Sequence, residues 1–119
     1  MSETEQHEAP SSTLASFSNA MVRLHKEQFG RGPTKARSGW TNDDTIVTTL
    51  DEALLPAERK LVALGQIERV QESRLSFQEA TRDDFIQAAQ EIVGREVHSF
   101  ASACDPRTEV IWEIFTFRT

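Results

Sequence analysis

The segment "EQFGRGPTKAR", Glu27 to Arg37, gathers two glycines, a proline and three basic side chains. Backbone N–H groups beside guanidinium groups are the equipment of oxyanion capture. From Arg23 to Arg37 five basic residues, Arg23, Lys26, Arg31, Lys35 and Arg37, stand against Glu27 alone, a local net of +4 in a chain of net charge −6. Arginine outnumbers lysine 10 to 3, and guanidinium suits bidentate oxyanion contacts. Gly30, Arg31, Gly32 and Arg37, with Arg74 from further along, are therefore the candidates for an anion or nucleotide site. Against this, the stretch lacks the spacing of a P-loop and does not open a helix after a strand. Its glycines close a helix, which presents the negative end of the helix dipole. A helix stop with basic neighbours is the simpler reading, and both stay open at this point.

Other chemistries find less support. His7, His25 and His98 fall at no ligand spacing, and Cys104 has no cysteine partner, so no metal site is expected. No G-x-S-x-G elbow is present. His98 and Cys104 lie six residues apart on one strand, roughly 20 Å, too far for a Cys–His pair. The acidic pairs Asp43/Asp44, Asp51/Glu52 and Asp83/Asp84 fall in turns or at a helix start, where capping explains them. No catalytic constellation emerges, no cofactor is implied, and the expectation is a protein that is not an enzyme.

The elements that would position these residues follow from periodicity. Leu14, Phe17, Met21, Leu24 and Gln28 recur at helical spacing, with Ser12 or Thr13 as N-cap and Gly30 as the left-handed stop. "TKARSGW" and "IVTTL", separated by Asn42, Asp43 and Asp44, read as a hairpin. Pro56 opens a second helix whose face runs through Leu61, Leu64, Ile67, Val70, Arg74 and Phe77, with Gly65 as a point of close approach. Thr81 opens a third, capped with the help of Asp84, with Phe85, Ile86, Ala89, Ile92 and Val93 buried and Gly94 closing it. Val97–Ala103 and Val110–Phe117 form a second hairpin about "DPRT". The order α-ββ-αα-ββ implies an α+β fold: an antiparallel sheet of about four strands with helices packed mainly on one face. The last strand is apolar on both faces, so it must be central or covered, and a homodimer is expected.

At 119 residues the chain has the size of one domain. Residues 1–12, "MSETEQHEAPSS", are too poor in apolar side chains to offset their ordering entropy and read as a disordered acidic arm before a domain over 13–119. That arm does not have the make-up of a signal peptide, and no apolar run approaches a membrane span. One cysteine precludes an internal disulfide and fits a reducing, cytoplasmic setting. The acidic balance argues against nucleic acid as a partner.

The order of short signatures is more specific than any one of them. "FGRGP" ends a helix, "TIVTTL" leads into "LLPAERKL", and "VQESR", "IVGREV" and "CDPRTEVIWEIFTF" follow. Over about residues 14–117 this resembles the MpsC-like family, named for the C component of a sodium-translocating, membrane-potential-generating system. The resemblance implies a small soluble protein with no enzymatic activity to carry over, linked by association to a membrane system for ion or inorganic-carbon transport. Its pattern draws attention to Gly30, Arg31, Gly32 and Pro33, then Glu58, Arg74, Gly94, Arg95 and Asp105. One departure is Leu55-Pro56, where the family usually places a Ser or Thr N-cap; that helix start is then looser or held by packing. The functional expectation is an accessory or regulatory module acting by protein contact, with a protein partner at a membrane system. The alternative is a small-anion or nucleotide sensor built on the GRGP loop and nearby arginines.

Overall fold

A computed structural model describes the backbone of residues 2–119 and the side chains of residues 13–119. It contains α1 (Ser2–Phe29), β1 (Lys35–Trp40), β2 (Thr45–Asp51), α2 (Pro56–Ala63), α3 (Ile67–Val93), β3 (Val97–Asp105) and β4 (Val110–Phe117). The arm expected over residues 1–12 falls outside the residues whose side chains are described.

Both hairpins form where turn chemistry places them. In the first, the Asp44 N–H donates to Asn42 Oδ1; in the second, the Arg107 N–H donates to Asp105 Oδ1. Each is an Asx-type turn in which a short side chain stands in for backbone. The hairpins join through β2 and β4, giving one antiparallel sheet of order β1-β2-β4-β3. The α+β architecture and element order read from the sequence are those observed. Strand β4, apolar on both faces, takes a central place.

Alternation along β2 and β4 sends one face into the core. Ile46 lies opposite Phe115 and Leu50 opposite Ile111, and all four are buried. Phe17, Met21 and Leu24 of α1 and Phe85, Ala88 and Ala89 of α3 close over them. Phe100 stacks on Phe115 at 4.5 Å between ring centroids, and Phe17 meets Phe115 edge-on at 5.2 Å. Both helices lie on this face.

The helical half departs from expectation. The break falls at Gly65, and α3 then runs unbroken through Thr81. Gly65 adopts φ +77°, its N–H donates to Val62 O, and the Gln66 N–H donates to Leu61 O. That is a Schellman stop, which needs a left-handed residue. Gly65 is therefore a helix terminator, not a point of close approach, and a Cβ there would meet nothing within 4 Å. Thr81 donates its hydroxyl to Phe77 O one turn back, so it is an interior residue and not a cap. Asp83 and Asp84 are simply exposed on the helix surface.

Replacing Gly65 with Ala should cost about 1 kcal/mol, because the penalty lies in the left-handed backbone alone. Gly39→Ala, at a strand position with open space around it, should be neutral or slightly stabilising. Chemical denaturation of the two variants compares them directly.

Candidate functional site

The inner row of β4 runs Ile111, Glu113, Phe115, Phe117, which places a carboxylate among core residues. Glu113 is 2 % exposed, and a buried polar group must find partners. Register supplies them. Ser38 lies opposite Thr48, Thr48 opposite Glu113, and Glu113 opposite Ser102, so one polar row crosses all four strands. Ser38 Oγ and Thr48 Oγ1 are 2.7 Å apart, and the Ser102 hydroxyl donates to Glu113 Oε1 at 3.1 Å. Helix α1 lies along this row. Ser18 Oγ approaches Ser38 Oγ at 2.6 Å, and two turns later His25 Nε2 lies 2.9 Å from Glu113 Oε1.

A second buried polar cluster sits beside the first. The Arg74 guanidinium on α3 donates through Nε to Glu58 Oε2 at 2.7 Å and through Nη2 to Glu58 Oε1 and to Ala53 O. Its Cζ lies 3.9 Å from the centre of the Phe29 ring, a cation–π contact at the end of α1. Glu58 Oε1 also accepts the Leu55 N–H at 2.7 Å. Leu55 has no side-chain cap, so the start of α2 is held by Glu58 reaching back and by Arg74 gripping Glu58.

Between the clusters lies a cavity of about 30 Å³ lined by His25, Gln28, Arg74, Ser102, Cys104 and Glu113, with Phe29, Phe85 and Phe100 as apolar walls. That volume holds roughly two water-sized positions. Arg74, Gln78, Ser102 and Cys104 also border a neighbouring groove of about 190 Å³ between α3 and β3, where Gln71, Leu75 and Ala103 complete the lining.

This arrangement is suited to binding and lacks an activated nucleophile. Ser102 and His25 both address the same oxygen of Glu113, so the hydroxyl proton is directed to the carboxylate and not to the imidazole, unlike a Ser-His-acid relay. Burial pushes the Cys104 thiol up from 9.0 to about 11, with Glu58, Asp105 and Glu113 adding to it and Arg74 opposing; the thiol stays protonated at neutral pH. Among the described residues no three His, Cys, Asp or Glu side chains gather as a metal site would require.

The residues singled out by sequence are dispersed. Gly30 caps α1, its N–H donating to Lys26 O. A Cβ on Gly32 would press Val22 at 3.3 Å, and Pro33 is buried, so the loop folds back onto α1. Arg31 is exposed and has no side-chain partner among the described residues. Arg37 points to the face of the sheet opposite Ser38 and lies 3.5 Å from Asp51. Arg74 is on the helical side, engaged with Glu58. The sheet stands between Arg37 and Arg74, so these arginines do not surround one anion.

The other positions of the family pattern have structural duties. Gly94 ends α3 with φ +76°. Arg95 donates to Asp43 O, Arg118 O and Asp44 Oδ1, tying the first hairpin turn to the end of β4. Asp105 shapes the second turn. The His25–Glu113–Ser102 group was missed by sequence reasoning. The one available signal was an acidic residue in phase with the apolar row of β4.

The family model described as "Na+-translocating membrane potential-generating system (MpsC)" matches residues 11–119, and the chain belongs to that family. No curated protein and no solved structure matches it.

Cys104 should resist alkylation in the native protein at neutral pH and react readily once unfolded. Its folded pKa lies above its ordinary value, so the native state holds the proton longer. The associated stability is intact below pH 9.0 and is lost as pH rises toward about 11. Alkylation rates measured with and without denaturant across that range test the assignment.

Proposed function

We propose that this MpsC family member is a non-catalytic accessory module that works by protein contact. It does so as a homodimer, in the cytoplasm, beside the membrane system for which its family is named. The observation that supports this reading is the sheet face turned away from the helices. On it Gly39, Val47, Ile114 and Ala101 form one row across the four strands, and Arg37, Thr49, Trp112 and Ala103 form the next.

Antiparallel sheets open to water on one side ordinarily carry polar residues there. Here the centre is apolar and the rows are kept flat by Gly39, Ala101 and Ala103. Val47, Val110, Trp112 and Ile114 are only half-buried, while Arg37 and Asp51 supply a charged margin. An apolar centre with a polar rim is the anatomy of an interface. A second copy laid face to face can satisfy it about a twofold axis, since the same patch serves both subunits.

The link to a membrane system is drawn from the family description. Among the described residues no helix is long and apolar enough to cross a membrane, so contact with such a system would be made through protein surfaces. For the alternative anion sensor, the GRGP loop offers a single exposed guanidinium, Arg31. That is less than the converging donors an oxyanion site requires.

Light scattering coupled to size exclusion should report a dimer at micromolar concentration. Trp112→Arg should yield a folded monomer with an unchanged circular dichroism spectrum. A wild-type chain that is strictly monomeric would refute the proposed assembly.

A further inference from the structure

We propose that the cavity between α1, α3 and the β3–β4 strands binds a small molecule through a carboxamide or urea-type head. Its remainder would lie in the adjoining α3–β3 groove. This inference is independent of the protein-contact reading and of the GRGP loop.

Its basis is an unfinished hydrogen-bond inventory. Arg74 Nη1, Gln28 Nε2 and Glu113 Oε2 are buried and have no partner among the described residues, and all three residues line this one cavity. The side chains of Arg74 and Glu113 are only 7 % and 3 % exposed, so bulk water does not serve them. Glu58 and Ala53 engage the rest of the guanidinium, while His25 and Ser102 engage the other oxygen of Glu113. Thr81 gives its one hydroxyl proton to Phe77 O and so does not satisfy the Gln28 carbonyl 3.3 Å away. That leaves the Gln28 amide open to a ligand as donor or acceptor. Arg74 and Glu113 are thus each held by part of their polar surface and leave one atom free, while the Gln28 amide can turn to suit the ligand.

The free atoms define what fits. A guanidinium only donates, and a carboxylate only accepts. The complementary group must accept from Arg74 and donate to Glu113. A carboxylate ligand has nothing to donate and sets its charge against Glu113. An ammonium has nothing to accept with and sets its charge against the Arg74 guanidinium. A carboxamide offers its carbonyl to Arg74 and Gln28 and its N–H to Glu113. It is also planar, as suits a slot walled by Phe29, Phe85 and Phe100. About 30 Å³ matches the two polar atoms of such a head. The groove of about 190 Å³ then takes an aliphatic or amide-bearing tail along Leu75 and Gln78, and it gives a contact to Leu75, which is 58 % exposed.

Three probes of similar size separate the possibilities: propionamide, propionate and propylammonium. In ¹H–¹⁵N NMR spectra of the full chain, propionamide at tens of millimolar should produce saturable shifts of the Gln28 side-chain amide and the Arg74 Nε–H. The other two probes should not. Glu113→Gln keeps an oxygen facing His25 and Ser102 and turns the free acceptor into a donor, so it should switch the preference to propionate. Should that variant not fold, Gln28→Met removes one donor at similar length and should weaken propionamide by about tenfold. Shifts equal for all three probes, no shifts at all, or propionamide binding unchanged in Gln28→Met would assign the cavity to ordered water and overturn the proposal.

Discussion

A guanidinium taken out of water must be paired, and the burial of Arg74 imposes that requirement on three separate parts of the chain. Glu58 brings the start of α2, Ala53 O brings the segment after β2, and the Phe29 ring brings the end of α1. Few other contacts join α2 to the body of the fold; one is Arg59 Nε donating to Glu109 Oε1 at 2.6 Å. Arg74 therefore fixes where the helical hairpin sits on the sheet. By spending only Nε and Nη2 on these contacts, it leaves Nη1 for the cavity behind it.

The polar row through Ser38, Thr48, Glu113 and Ser102 imposes a second constraint, on register. A one-residue slip of β4 would carry Glu113 to the outer face and bring Trp112 and Ile114 inward. The buried His25 and the half-buried Ser102 would then lose their acceptor, and the slip would forfeit hydrogen bonds as well as packing. Apolar packing by Phe17, Phe100 and Phe115 supplies the bulk of the core, and the polar row selects one alignment of it. The same alternation leaves the outer face with Val47, Trp112 and Ile114, so the residues that bury Glu113 and those that offer a docking surface follow from one register.

Features encoded by neighbours in sequence were legible in it. Helix α1, both hairpins and the α+β order follow from apolar period and from turn residues such as Asn42, Asp44 and Asp105. The boundary between α2 and α3 was not, because Gly65 and Thr81 both carry helix-end chemistry. The choice is made by backbone hydrogen bonds of Gly65 and Gln66 that composition does not reveal. The candidate site was largely hidden for a different reason: its partners are distant. His25 and Glu113 are 88 residues apart, and within "VIWEIFTF" the glutamate reads as an interruption of an apolar strand. Arg74 and Glu58 both stood out individually, but only the folded hairpin brings them together, and it does so on the opposite side of the sheet from Arg37.

The organising role of Arg74 is tested most directly by a double-mutant cycle on Glu58→Gln and Arg74→Met, read by chemical denaturation. Each single change should destabilise the protein by about 3 kcal/mol or more, because it strands a buried polar partner. The double variant should lose markedly less than the sum, with a coupling of about 2 kcal/mol. Effects that add to within about 0.5 kcal/mol would mean that the two side chains act independently, and would contradict the account.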